Sequence, residues 1–468
     1  MSLRRWLTRR IEKASTSFLK KKKQKTFMTA VADSPGEPPT ANKSFFASFF
    51  SKKEGLLRVI MAASAGNALE FYDFTVFGYF AQPIAQTFFP STDPAAGLLL
   101  TFGTYGVSFL ARPFGAAILG SYADRAGRRA ALTMTILLMT FGTAMMAVMP
   151  GHASIGRWAG FGVLVARLIQ GFSTGGEFGS STAFIIEHAG RRAGFFGSFQ
   201  YISQAVSAIL GSGVAWAVSA ALSQHDVAAW GFRIPFLLGL LIGPVGWYIR
   251  RHVEETPAFT HEVPAKRPTL TLLRLYPLRV ALAAGVVAAG TASTYLNIYL
   301  PTFVQRHLHA GVSSSFAVTF AASCTPLIIT PFAAILSDRT GRLPVMIVMV
   351  AILALVAYPA VALVVAHPTT AVLSAVFIAL TALRAAYTAP SAALLAEMFP
   401  VRVRGAGMSL GYTLGVVAFG GFGQLAMEWL IDTTGSLAVP GIYLAATSFI
   451  SLVALVAIRK VPRERLVA

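Results

Sequence analysis

Ionisable side chains stranded in apolar runs are the residues of this sequence whose types could do chemistry. Glu70 and Asp73 lie three apart in one run, Arg167 and Glu177 share another, and Arg112 and Arg384 interrupt two more. An ionised group at mid-membrane costs at least about 2.5 to 3.5 kcal/mol on insertion scales, so each requires a partner, water or a function. Glu70 and Asp73 fall on one helix face. Neighbouring carboxylates with little water disfavour double ionisation, which suits a proton carrier. The alternative is that Arg112 neutralises one of them as a fixed pair, and the residues leave both readings open. Glu177 follows Gly175 and Gly176, which permit close helix approach, and is either a coupling or substrate residue or one arm of a salt bridge. Arg384 is the sharpest candidate, because an unpaired guanidinium lining a cavity attracts a carboxylate and binds it bidentately. A salt bridge to an acid such as Glu177 is its alternative. Arg167 reads as a packing or gating residue rather than a ligand. Gln200, Gln204, Tyr295, Asn297, Tyr299 and Tyr387 can give neutral hydrogen bonds to a substrate or be satisfied by neighbouring helices.

The elements that must position these groups are membrane spans. The 468 residues are 55% hydrophobic and 12% charged, with mean hydropathy +0.63, against about 25% charged residues in soluble globular chains. Apolar runs of spanning length cover about 56–85, 97–119, 130–149, 160–186, 195–222 and 234–249. A second six cover 278–304, 312–336, 344–365, 371–398, 407–431 and 439–458. At about 20 residues per span this predicts an all-α membrane protein with twelve transmembrane helices in two pseudo-symmetric six-helix bundles. The expected divisions are a basic, disordered segment 1–54, a bundle 55–249, a cytoplasmic linker 250–276, and a bundle with a short basic tail, 277–468. Lys and Arg concentrate in alternate short loops, which puts both termini in the cytoplasm of a cell, with a bacterial inner membrane as the expected one.

The net charge of +20 is not a nucleic-acid signal once its distribution is considered. Residues 1–54 hold thirteen basic and four acidic residues, a net +9, in a Ser-, Pro- and Lys-rich segment that reads as a solvated leader or an anionic-lipid tail, with Met28 an alternative start. The single Cys324 excludes an intramolecular disulfide and a cysteine metal cluster. The eight histidines fall in or near loops without a second ligand at metal spacing, so no metal and no cofactor are expected.

The halves also repeat in sequence. Gly120-Ser-Tyr-Ala-Asp-Arg-Ala-Gly-Arg-Arg129 reads as a charged turn between apolar runs, and Ser337-Asp-Arg-Thr-Gly-Arg342 is a shortened copy. Ser181 to Glu187 likewise matches Ser391 to Glu397, and the two offsets, 214 and 210 residues, agree. Parallel repeats of this kind place a substrate site at their interface near the bilayer midplane.

The first turn resembles the signature of the major facilitator superfamily, Gly-x-x-x-Asp-Arg-x-Gly-Arg-Arg or Lys, met by Gly120, Asp124, Arg125, Gly127, Arg128 and Arg129. Gly66 to Phe74, Arg112 to Gly115, Arg167 to Glu177, Trp230 to Phe236 and Glu254 to Phe259 narrow the resemblance to the metabolite:proton symporters over about residues 57–460. Phe419 to Gly423 and Thr434 to Gly441 look like citrate and tricarballylate symporters, whereas Gly194 to Tyr201 looks equally like 2-oxoglutarate symporters and Glu254 to Phe259 like the betaine and proline branch. Arg384 stands where the citrate symporters align with a neutral residue. The resemblance implies a gate role for Gly120, Asp124, Arg125, Gly127 and Arg128, for the copy Asp338, Arg339 and Arg342, and for Glu187 and Glu397.

The expected function is therefore secondary active transport, a proton-coupled symport of a small carboxylate such as citrate. The protein is expected to be a monomer in the lipid bilayer, with no nucleic-acid partner and no catalytic residues. Symport of 2-oxoglutarate, shikimate, betaine or proline, or efflux of a drug or metabolite against protons, would leave the bundle and turns unchanged. A receptor whose basic tail recruits partners is a third class, which loss of function on removing residues 1–54 would reveal. No Gly-x-x-x-x-Gly-Lys-Ser/Thr loop and no His-Glu-x-x-His occurs, so an ATP-driven pump and a zinc peptidase lack their marks.

Overall fold

The computed structural model describes residues 64, 67, 68, 70–126, 128–175, 182, 185, 186, 189–241, 268–309 and 311–460. The segment 1–54, Gly127, Glu177, Glu187 and most of the linker 250–276 lie outside the described residues, as do the side chains of Asp124, Arg125 and Arg128.

The described chain is helical and follows the twelve apolar runs in order. Helix α1 comprises 70–79 and Ala81–Phe88, α2 comprises Pro94–Leu110 and Arg112–Ala126, α3 is Arg128–Val148, and α4 is described over Trp158–Ser173. Then come α5 (Ala193–Ala221), α6 (described over Gly231–Leu241), α7 (Pro277–His307), α8 (Val312–Thr340) and α9 (Arg342–Ala366). Helices α10 (Thr370–Glu397), α11 (Arg404–Thr434) and α12 (Val439–Ile458) complete the set. Large apolar side chains such as Leu355, Phe332 and Phe114 point outward, which suits a lipid solvent in which the backbone bonds itself.

Local chemistry sets the helix ends. Asp93 accepts the Ala95 N–H at 2.9 Å beside Pro94 at the start of α2, and Thr369 does the same for Val372 at the start of α10, so orphan amides are capped. Gly341, at φ +95°, reverses the chain between α8 and α9, a conformation other residues adopt at a cost.

Three features differ from the sequence expectation. The stretch 120–129 is helix up to Ala126 and again from Arg128, and α8 continues through Asp338 and Arg339 to Thr340. Charged residues end an apolar run without ending a helix, because Asp and Arg accept helical backbone once outside lipid. The expected linker includes a helix, Pro268–Leu275. Finally, α10 breaks around Pro390, which lacks an N–H to donate, and α11 contains a π segment, Val417–Gly421. At that segment α11 lies against Tyr295 of α7 and Phe109 of α2.

Helices α5 and α8 pack along each other, and α2 packs on α11, so these pairs join the first six helices to the second six. Within the first set, a Cβ on Gly175 would stand 2.1 Å from the Arg112 carbonyl oxygen. Only glycine allows α4 to approach α2 this closely, and the approach fixes the backbone that carries Arg112.

Candidate functional site

Asp73 lies in a closed polar cluster built by α1, α3 and α4. The Thr143 hydroxyl donates to its Oδ2, and Gln170 Nε2 lies 3.4 Å from the same oxygen and 3.1 Å from Thr143 Oγ1. Arg167 Nη1 in turn donates to Gln170 Oε1 at 2.7 Å. The amide of Gln170 thus connects a carboxylate with a guanidinium across helices. Arg167 is fully buried, its guanidinium carbon 4.4 Å from the ring centres of both Phe74 and Phe77, a cation–π seat that offsets part of its desolvation. Asp73 Oδ1 and Arg167 Nε and Nη2 have no hydrogen-bond partner.

Glu70 takes a different partner, pairing with Arg112 Nη2 at 3.0 Å. The Arg112 guanidinium also lies over Phe109 at 4.5 Å. The carboxylates of α1 are therefore divided: Glu70 joins α2 while Asp73 joins α3 and α4. A cavity of about 10 Å³, room for a single water, adjoins Glu70, Arg112, Thr174 and Gly175, and is closed on the other side by Ser409, Tyr412 and Thr413 of α11.

Arg384 occupies a separate place. It is 9% exposed, its Nη1 donates to Thr294 Oγ1 at 3.2 Å, and its Nε is buried without a hydrogen-bond partner. No carboxylate pairs with it among the described residues. The rings of Tyr79 (α1) and Tyr201 (α5) are its electrostatic neighbours, and Ser391 Oγ lies 2.6 Å from the Tyr201 hydroxyl. Asn297 donates to Ser323 Oγ at 3.4 Å, while its own Oδ1 is unpartnered. Gln200 is engaged with Asn67 at 2.7 Å, and Gln204 keeps a buried Nε2 free of hydrogen bonds. Tyr387 donates its hydroxyl to the Val286 carbonyl, so that hydroxyl serves the α7–α10 packing. Tyr295 stacks edge-on against Tyr105 and Phe109.

At the end of the bundle bearing the charged repeat, Asp338 of α8 reaches across to the start of α5. Its two oxygens accept the N–H groups of Gly194 and Phe195 at 2.8 and 2.9 Å, where a helix N-terminus favours negative charge. Arg342 pairs with Asp338 at 2.9 Å and with Glu397 of α10 at 2.5 Å. Arg339 is exposed and joins neither pair.

Residues 58–271 match the Sugar (and other) transporter family and residues 282–467 the Major Facilitator Superfamily. The chain is 36% identical over 400 residues to a protein described as a citrate-proton symporter of Klebsiella pneumoniae, covering 84% of this chain and 90% of that one. The chain belongs to the major facilitator superfamily, in its metabolite:proton symporter family. This superfamily chain is also 30% identical to a proline/betaine transporter of Escherichia coli, over 85% of its own length and 82% of the other's. The solved proton:xylose symporter of E. coli shares its fold, with TM-score 0.70, 16% identity and coverage of 89% and 98%. It is a membrane transporter rather than an enzyme.

Some polar residues of this transporter were not among the candidates read from its sequence. Glu428 of α11 is enclosed, accepts the Tyr299 hydroxyl, pairs with Arg306 at 2.8 Å and lies 3.3 Å from His307 Nε2. Arg306 extends the cluster to Asp432 at 3.1 Å. The signal was available, since Glu428 is a carboxylate inside an apolar run like Asp73. Thr143, Tyr79 and Ser323 offered none, because hydroxyls occur throughout membrane helices, and Gln170 stood out only as part of the Arg167 to Glu177 run.

Proposed function

We propose that this protein couples the inward movement of protons to uptake of a small carboxylate, citrate or a related di- or tricarboxylate, by alternating access of its two six-helix bundles. Both termini face the cytoplasm in this reading. The observation that carries it is Arg384, an enclosed guanidinium whose Nε has no partner and which pairs with no carboxylate among the described residues. Such a group binds a substrate carboxylate in place of water. Similarity to citrate-proton symporters of Klebsiella pneumoniae and Salmonella typhi supports the same substrate class.

The roles divide as follows. Arg384 receives the carboxylate, with Asn297, Gln204 and Tyr295 bordering the path. Asp73 takes the proton, held by Thr143 and Gln170 and opposed by Arg167 through Gln170. A neutral Asp73 releases the restraint that Arg167 exerts through Gln170, so a proton changes how α1 is tied to α3 and α4. Glu70 and Arg112 act as a fixed pair, and Glu177 remains a coupling candidate. Asp338, Arg342 and Glu397 form one side of the cytoplasmic gate, with Asp124, Arg125, Arg128 and Glu187 proposed as its counterpart around Gly120 and Gly127.

A zwitterion such as proline or betaine is the second reading, favoured by the 30% identity to proline/betaine transporters. Purified protein in proteoliposomes under an inward proton gradient decides between them. Labelled citrate is expected to accumulate, and a protonophore to abolish the accumulation. Arg384→Ala is expected to weaken carboxylate affinity by about 10- to 150-fold, the cost of a hydrogen bond to a charged group, with Arg384→Lys retaining part. Uptake of betaine but of no carboxylate, or unchanged affinity in Arg384→Ala, would overturn the carboxylate reading.

A further inference from the structure

The surroundings of Arg384 contain more than a cation. The Tyr79 hydroxyl of α1 faces the hydroxyls of Ser323 of α8 and Ser212 of α5, and lies within electrostatic reach of Arg384, but meets neither serine in good hydrogen-bond geometry. Ser323 is also the residue that Asn297 of α7 addresses. Arg384, Tyr79, Ser323 and Asn297 thus form one connected group, drawn from both sets of six helices.

Two buried atoms of this group, Arg384 Nε and Asn297 Oδ1, have no hydrogen-bond partner among the described residues, and the Tyr79 hydroxyl has only the two serine hydroxyls beside it. Tyr79 and Asn297 are 2% and 7% exposed, so bulk water does not serve them. Buried polar atoms are almost always paired, and an open donor and an open acceptor in one group, with a phenol poised between them, point to a ligand that completes them. Their chemistry specifies that ligand. The guanidinium Nε–H only donates, the amide Oδ1 only accepts, and a phenol does both. A carboxylate offers acceptors alone, so it meets Arg384 and leaves Asn297 Oδ1 unmet. The missing piece is a donor beside the carboxylate. An ammonium would donate too, but its charge would need an acid, and among the described residues the electrostatic partners of Arg384 and Tyr79 include none. A neutral hydroxyl meets Asn297 and Tyr79 without that cost.

We propose that Tyr79 and Asn297 form a hydroxyl subsite beside Arg384, so that the transporter selects hydroxy acids, with the hydroxyl close to a carboxylate, over deoxy carboxylates. The proposal rests on the carboxylate reading of Arg384, and extends it from charge to substrate class.

The test uses full-length protein in proteoliposomes, with citrate and tricarballylate, the same tricarboxylate skeleton lacking the hydroxyl, competing for uptake. Wild type is expected to prefer citrate by about 10-fold or more, since a site built to bond a hydroxyl rejects an analogue without one. Tyr79→Phe, which removes one oxygen and little volume, is expected to bring the ratio towards one, chiefly through loss of citrate affinity. Asn297→Ala is expected to do the same. A wild-type ratio near one, or an unchanged ratio in Tyr79→Phe, overturns the subsite while leaving Arg384 as a carboxylate site. If wild type takes up neither compound nor any other carboxylate, the parent reading falls and the subsite with it. If Asn297→Ala does not assemble, Tyr79→Phe decides alone.

Discussion

Asp73, the proposed proton carrier, is held differently from its neighbour on α1. Glu70, three residues earlier, is tied to Arg112 at 3.0 Å, whereas Asp73 accepts only from neutral Thr143 and Gln170 and meets Arg167 through the amide between them. A carboxylate bonded only to neutral donors breaks no direct ion pair when it gains a proton. Asp73→Asn is therefore expected to abolish proton-driven accumulation while leaving citrate counterflow within a few-fold of wild type, measured in the same vesicles. Equal loss of both activities would mean that Asp73 serves folding or substrate binding. The ionisable residues were legible in the sequence because charge in an apolar run is costly enough to demand explanation, and Glu428 stands out by the same rule. Which carboxylate meets which arginine was not legible. Glu70 and Asp73 sit on one helix, and their division between Arg112 and the Thr143–Gln170 pair depends on how α2, α3 and α4 surround α1.

The twelve spans were readable at the level of elements because lipid requires about 20 apolar residues per crossing, but their ends and interruptions were not. The run of α8 ends in hydropathy near Leu336, while its backbone continues to Thr340, and those extra residues carry Asp338 to the start of α5. The π segment of α11 leaves hydropathy unchanged and was invisible for that reason. The Asp338 clamp is testable as an element-scale contact. Asp338→Ala removes the acceptor of the Gly194 and Phe195 amides, each a hydrogen bond to a charged group worth about 1.5 to 3 kcal/mol. Hydrogen–deuterium exchange at the start of α5 is expected to rise by about 10-fold or more, with slower uptake. Exchange equal to wild type would show that the α5–α8 packing alone holds this end together.

The two sets of six meet at the charged-repeat end and again away from it. Asp338 joins α8 to α5 at the charged-repeat end. Away from it, Phe102 of α2 meets Tyr299 of α7, and Tyr79 and Phe80 of α1 meet Phe316 of α8. The cavity beside Glu70 and Tyr412 has room for one water, far less than the proposed tricarboxylate needs. Under the proposed alternating access, the α5–α8 contact beside Asp338 is expected to break once in each cycle. A Cβ on Gly194 would lie 2.9 Å from Ser337 Oγ, within the reach of a disulfide. With Cys324 replaced by serine, the pair Gly194→Cys and Ser337→Cys is expected to cross-link under mild oxidant and to stop citrate uptake almost completely. Reductant should restore uptake to the rate of the never-oxidised double variant, which is the reference because the new Cβ would also stand 2.7 Å from Asp338 Oδ1. Full-rate uptake by the cross-linked protein would mean that the substrate leaves by a route that does not part α5 from α8, and the clamp at Asp338 would then be a structural strut with no part in gating.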